Sequence, residues 1–291
     1  TTREFDELLF AHVGYSIRNA VRAFVLGLSR GHFSAVPSDR RTAKYYRKLS
    51  RYSAALAFVS DVAMLTLGGK LKQKERLSAR LGDVLSQLYI CSAIMRRFEM
   101  HGRPAVDQPI LAWAFFDAVH KMQVALGGVV DNFPNRWLRG VLSLVVFPLG
   151  RRERAPNDRL SHKVAQLLLT PSETRDRLTN GVYLAPGSGH PVSVMEEALP
   201  LVIAAEPLER KLLKAIKAGT LGALTWDERL AEAEEKGVVT GEEADSLRQV
   251  TELVAEIIAV DDFTTEELQA GQRADTSNVT RIGSRKKTNV A

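Results

Sequence analysis

The stretch LSARLGDVLSQLYICSAIMRRF, residues 77–98, carries the clearest periodicity in the chain. Its apolar residues recur at alternating spacings of four and three, which keeps them on one side of an α-helix. They are Leu77, Leu81, Val84, Leu88, Cys91, Met95 and Phe98. Such a stripe predicts a helix that packs along its length against other helices.

Segments on both sides of this stretch also have helical patterns, at residues 3–28, 38–67 and 107–131. In residues 38–67, one face carries Tyr45, Leu49, Tyr52, Leu56, Val59 and Ala63, and the rest carries Arg40, Lys44, Arg47, Lys48 and Arg51. Gly68-Gly69 and Gly102 stand where helix C-terminal caps are expected. No group of alternating β-branched runs with hairpin turns indicates a sheet. The predicted fold is all-α, a helical bundle.

Four Thr-x-x-Glu stretches match the capping box, in which Thr and Glu satisfy free backbone amides at the start of a helix. They are Thr170–Glu173, Thr225–Glu228, Thr240–Glu243 and Thr264–Glu267. The first also has Pro171 at the favoured first helical position. A further helix is predicted from about residue 240 to 259, with Leu247, Val250, Val254 and Ile257 facing a partner.

The charges divide the 291-residue chain into three regions. Residues 1–194 hold 28 Lys and Arg against 15 Asp and Glu, whereas residues 195–270 hold 7 against 18. The sequence LAPGSGHP, residues 184–191, concentrates turn-forming residues just before this reversal. We therefore predict a basic helical bundle (1–183), a smaller acidic helical region (184–270) and a disordered basic tail (271–291).

Known catalytic patterns are not evident in the sequence. The six histidines form no metal-binding spacing, and the GSG at 187–189 lacks the full pattern of a phosphate-binding loop. Cys91 lies in the apolar stripe, where a thiol is expected to be a buried hydrophobe. We predict no catalytic, cofactor-binding or metal-binding residue here. A nucleic-acid partner is not predicted, because the basic helix shows no known recognition pattern.

Residues 132–154, NFPNRWLRGVLSLVVFPLGRRER, form an apolar run flanked by arginines. A helix from Trp137 to Leu149 would be about 20 Å long, too short for a hydrocarbon core of about 30 Å. No other segment is expected to span a membrane. Burial is the favoured interpretation, since apolar residues occupy almost every side of the helix.

Two alternatives to burial of this run remain. A membrane surface or other anionic partner could contact Arg136, Trp137, Arg139, Arg151, Arg152 and Arg154. Alternatively, the bundle could line a tunnel for an acyl chain, with Phe115, Phe116, Met122 and Val145 in its wall. Aromatic and Met residues at helical spacing are, however, more often plain core.

Residues 77–89 and 131–186 resemble the C-terminal extension of the large bacterial fatty acyl-CoA dehydrogenases of β-oxidation. The likeness begins in LLFAHVGYSIRNAVRAFVLGLSRGHFS (8–34) and continues through EEALPLVIAAEPLERK (196–211) to VDDFTTEEL (260–268). Two local departures from the family's pattern are Gly127-Gly128 inside a predicted helix, which puts the stability of that helix in question, and GSGHP before the next helix.

The resemblance implies an FAD flavoprotein, an oxidoreductase that converts a medium- or long-chain fatty acyl-CoA to a trans-2-enoyl-CoA and passes electrons to an acceptor. In that family the flavin site and the catalytic glutamate precede the matched segment, so we expect them upstream of this chain and expect the isolated chain to be inactive. We also expect a homo-oligomer and a cytoplasmic location, with the inner face of the cell membrane as an alternative. A helical module for membrane anchoring or subunit association is the rival function.

Overall fold

The computed structural model describes residues 2–37, 39–185, 189–222 and 225–259, and these form ten α-helices and two short 3-10 helices without a strand. The all-α prediction is confirmed for this part of the chain. The tail at 271–291 and the capping box at Thr264–Glu267 lie outside the described residues. The chain divides into two compact units between Asn180 and Gly181.

The first unit contains seven α-helices, which we number in chain order. They are α1 (Thr2–Leu28), α2 (Arg40–Leu67), α3 (Glu75–Met100), α4 (Gln108–Asp131), α5 (Arg136–Val146), α6 (Asp158–Leu169) and α7 (Glu173–Thr179). The 3-10 helices are Gly68–Leu71 and Ala105–Asp107. The four helices predicted from periodicity are all present, and Gly68 and Gly102 adopt positive φ at the ends of α2 and α3.

The core of this unit lies mainly between α3 and α4. The predicted stripe of α3 is buried there, apart from Leu81, which is partly buried. Cys91 is fully buried, and burial raises the pKa of its thiol to about 12. A thiol in this setting remains protonated, so the prediction of a core cysteine is confirmed. Phe115 and Met122 are also fully buried, as core residues of α4.

Helix α2 packs against α1 and α3 through the predicted apolar face, with Tyr45, Tyr52 and Val59 fully buried. By length and composition alone, the helical stretch Arg41–Leu71 could cross a membrane, which differs from the expectation from the sequence. The buried residues of this stretch, 28% of its most apolar window, belong to the bundle core. Its basic side is also not simply solvated, since Arg51 is buried.

Two predicted helix boundaries are wrong. The helix α5 ends at Val146 rather than Leu149, because Phe147 precedes a proline, whose ring disfavours helical backbone at the residue before it. Ser172, and not Thr170, caps α7 by accepting a hydrogen bond from the backbone of Arg175. The capping boxes at Thr225 and Thr240 are confirmed.

The second unit contains α8 (Pro191–Lys217), α9 (Trp226–Glu235) and α10 (Gly241–Ile258). Its core brings together Leu212, Leu230 and Leu247, one from each helix. The predicted stripe of α10 is confirmed, with Leu247 and Val250 buried and the next two members partly buried. The three helices therefore enclose an apolar core of their own.

Candidate functional site

Helix α5 has two apolar faces. Leu142 and Val146 are buried in the core, whereas Trp137 is 80% exposed and Val141 and Leu144 are also exposed. The exposed three are spaced four and three residues apart and therefore share one face of the helix. Burial of the whole run, which the sequence favoured, is correct for only one side of α5.

Arginines lie on α5 and in the segment that follows it. The guanidinium of Arg136 lies over the Trp137 ring, 6.0 Å from its centre. Arg139 donates a hydrogen bond of 3.4 Å to the backbone carbonyl of Asp131. Arg151 donates two hydrogen bonds to the Asp131 carboxylate, at 2.8 and 2.5 Å, and they hold the pKa of that carboxyl below its usual range. Asp131 thus brings Arg139 and Arg151 together at the end of α4.

The glycine pair of α4 explains how two arginines approach that helix so closely. A Cβ on Gly127 would lie 2.9 Å from Cζ of Arg151, and one on Gly128 would lie 2.8 Å from Nε of Arg80. The guanidinium of Arg151 also donates a 3.5 Å hydrogen bond to the Gly127 carbonyl. The glycines cost helix propensity, yet α4 is continuous through them.

The segment after α5 is held in place by Glu153, the single acid of RRER. Its backbone amide donates to Oε1 of Gln123, and its carbonyl accepts from Nε2 of the same side chain, both at 2.8 Å. Its carboxylate binds Lys48 at 2.5 Å and Arg51 at 3.2 Å. Glu153 thereby fixes residues 151–154 against α2 and α4.

The sequence analysis missed Glu153 and Gln123. Two signals could have revealed them: one acid among three arginines, and one amide within the apolar residues of α4, between Met122 and Val124. A buried amide needs hydrogen-bond partners. The backbone of an irregular segment is a suitable hydrogen-bond partner, because its N–H and C=O groups are not paired within a helix.

The structure separates the six predicted contact residues into groups. Arg136, Trp137 and Arg139 lie on α5, and Arg151 is bound to Asp131. Arg154 is exposed between α5 and α6. Arg152 belongs to a cationic pocket, which it lines together with Arg30, Lys44, Arg47, Lys48 and Arg51.

A second, apolar pocket of about 230 Å³ lies between α3, α4 and α7. Its wall includes Ile94, Phe98, Ile110, Leu111, Ala114 and Leu178. Asp107 at its edge accepts hydrogen bonds from Thr174 at 2.6 Å and Arg177 at 2.7 Å. Burial alone would raise the pKa of Asp107, but these hydrogen bonds outweigh it and hold the pKa below its usual range.

The family model described as acyl-CoA dehydrogenase, C-terminal, bacterial type, matches residues 1–263. The chain belongs to this family. The resemblance seen in the sequence is thereby confirmed. No solved structure matches the chain.

The apolar pocket and the cationic pocket of this acyl-CoA dehydrogenase C-terminal domain do not offer a catalytic base for an FAD site. Such a base must be able to reach and accept a substrate proton. Asp107 in the apolar pocket is bound by Thr174 and Arg177, and Glu153 in the cationic pocket is bound by Lys48 and Arg51. Neither carboxylate is free for that role, so we assign no flavin chemistry to these residues.

Proposed function

We propose that this chain is the helical C-terminal region of an FAD-dependent dehydrogenase that converts medium- and long-chain fatty acyl-CoA to trans-2-enoyl-CoA, the first step of β-oxidation. The match over residues 1–263 to a family of C-terminal domains is the observation that carries the proposal. FAD and the catalytic glutamate lie in a dehydrogenase core that precedes this region, and FAD supplies the redox chemistry there.

The test compares this chain with the product of the whole reading frame that encodes it. The whole protein should carry FAD and reduce an electron-accepting dye when given a long-chain acyl-CoA. The 291-residue chain, assayed at the same molar concentration, should show neither flavin absorbance nor dye reduction. Flavin bound tightly by the chain alone, with dehydrogenase activity, would refute the placement of the active site.

A second function, contact with the inner face of the cell membrane, is supported by the exposed apolar face of α5. Trp137, Val141 and Leu144 are exposed together, and Arg136 and Arg139 lie on the same helix. Tryptophan favours the interface between lipid and water, and arginines are attracted to lipid phosphates. We propose that this face lies against the membrane surface while the other face of α5 stays in the core.

Vesicle co-sedimentation tests the contact. The chain should bind phosphatidylglycerol vesicles at low salt, and the double variant Trp137→Ser, Leu144→Ser should lose most of that binding. The matched control is Tyr89→Ser, which removes another exposed ring, on α3. Equal binding by the double variant and the wild type would rule out α5 as the contact face.

A further inference from the structure

The cationic pocket, of about 270 Å³, lies within the first unit and is built from three separate parts of the chain. The end of α1 and the turn after it supply Arg30, α2 supplies Lys44, Arg47, Lys48 and Arg51, and the segment after α5 supplies Arg152. The fold thus brings six basic side chains around one cavity. His32 also lines it.

The positive charge of this pocket is largely uncompensated. Glu153 is the single carboxylate in its lining, and both of its oxygens are engaged, by Lys48 and Arg51. The six bases and one acid leave a net charge of +5, with His32 counted as neutral. Among the described residues, Arg30, Lys44, Arg47 and Arg152 form no ion pair with a carboxylate. Like charges held this close repel one another, and the repulsion destabilises the folded chain.

One donor in the pocket wall lacks a partner. The Nε atom of Arg47 is buried, and no described residue accepts a hydrogen bond from it. A buried donor without an acceptor costs free energy, so most such groups in folded proteins are satisfied by the protein, by water or by a ligand. Arg47 lines the pocket, so an anion there would lie beside this unsatisfied side chain and would supply the missing negative charge.

The turn after α1 is shaped to bring its bases onto α2. Gly31 has φ +82°, and a Cβ there would lie 2.4 Å from the carbonyl oxygen of Arg47, so this close approach requires glycine. The preceding residue, Arg30, has φ 52°, a conformation that is uncommon for a residue with a side chain. Such backbone conformations concentrate at ligand-binding sites.

We propose that the cationic pocket binds a ligand through clustered phosphate groups. Four of the six bases are arginines, whose planar guanidinium groups form paired hydrogen bonds with phosphate oxygens. A single carboxylate or a single phosphate would leave most of the positive charge uncompensated, whereas a ligand with two or more clustered phosphate groups brings about three or four negative charges. The phosphate belongs either to a coenzyme A compound, a choice of soluble ligand that rests on the proposed function, or to the headgroup of an anionic lipid.

The first experiment measures binding of inorganic pyrophosphate to the 291-residue chain by calorimetry and by thermal unfolding. Pyrophosphate should bind one per chain and raise the unfolding temperature, because a ligand that binds the folded state stabilises it. Arg47→Gln and Arg152→Gln should each weaken binding about tenfold, as expected for the loss of one charged hydrogen bond. Added salt should weaken binding to the wild type.

The matched control is Arg159→Gln, the same change at an exposed arginine of α6 outside the pocket, which should leave pyrophosphate binding unchanged. Arg152 is exposed, so without ligand the unfolding temperature of Arg152→Gln should not be lower than that of the wild type. Weaker binding by this variant would then not reflect misfolding. The proposal is overturned if millimolar pyrophosphate fails to stabilise the chain, or if both pocket variants bind it as the wild type does.

Two further arms distinguish the sources of the phosphate. A soluble ligand is identified if coenzyme A binds the wild type more tightly than 3′-dephospho-coenzyme A does, and if Arg152→Gln weakens the binding of coenzyme A. Binding to phosphatidylglycerol but not phosphatidylcholine vesicles, displaced by pyrophosphate and reduced by Arg152→Gln, identifies a lipid headgroup. This readout is separate from the face of α5, because Trp137→Ser and Leu144→Ser leave the pocket unchanged. Failure of both coenzyme A and anionic vesicles to compete with pyrophosphate would contradict either source and with it the proposal.

Discussion

Glu153 shows how much of the local structure depends on one side chain. It is largely buried, and its carboxylate pairs with both Lys48 and Arg51 while its backbone is held by Gln123. A buried pair contributes little net stability when complete, because both charges lose their hydration on folding. Removing one partner has a much larger effect, since the remaining charges are left buried and unpaired.

We therefore expect Glu153→Gln to lower the free energy of unfolding by about 3 kcal/mol. The variant leaves Lys48 and Arg51 without a counter-charge in a pocket that is already positive. Urea unfolding followed by circular dichroism measures the difference.

Glu173→Gln is the matched control for this prediction. Glu173 pairs with Arg177, but its side chain is 87% exposed, so the change should stay within about 0.5 kcal/mol of the wild type. A loss of similar size in the two variants would mean that burial does not decide the effect.

At the scale of an element, α7 is tied to the start of α4 by a polar contact. Thr174 and Arg177 on α7 both bind Asp107, the last residue of a 3-10 helix that leads into α4. The helix has only seven residues, too few to be stable by itself. Its position therefore depends on Asp107 staying ionised.

The folded pKa of Asp107 lies below its unfolded value near 3.8, so its contribution to stability is present above that value. This contribution should be lost as the pH falls through the folded pKa. We expect the wild type to lose more stability between pH 6 and pH 3 than Asp107→Asn, in urea unfolding at both values.

Asp176→Asn serves as the control for the pH experiment, because Asp176 is an exposed carboxyl of the same helix. It should keep the wild-type dependence on pH. If Asp107→Asn kept that dependence as well, the contact with α7 would not be responsible for the acid sensitivity.

Element types could be predicted from the sequence wherever a periodic stripe was long, as in α3 and α10. The ends were less certain, because they depend on competition between neighbouring residues. Thr170 and Ser172 are both good caps, and α7 uses the second. In α5 the apolar pattern continues beyond Val146, but Pro148 limits the backbone of Phe147.

At the scale of the whole molecule, the charge reversal along the chain was visible in the sequence, but the cationic pocket was not. Its residues come from three segments, around positions 30, 47 and 152. Spacing within one helix shows which residues share a face; it does not show which distant segments meet. The helical pattern of α2 therefore showed its bases only as the side away from the apolar face, although Arg51 is buried and Arg47 is partly buried.

The glycine pair of α4 also constrains which substitutions evolution can accept at four positions, 80, 127, 128 and 151. Because the space above Gly127 is filled by Arg151 and that above Gly128 by Arg80, a larger residue at either glycine displaces a guanidinium. Substitutions at these sites are therefore expected to co-vary among related sequences, with a bulkier residue at 127 accompanied by a shorter one at 151. In an alignment of related sequences, the residues at positions 127 and 151, which are 24 residues apart, would change together.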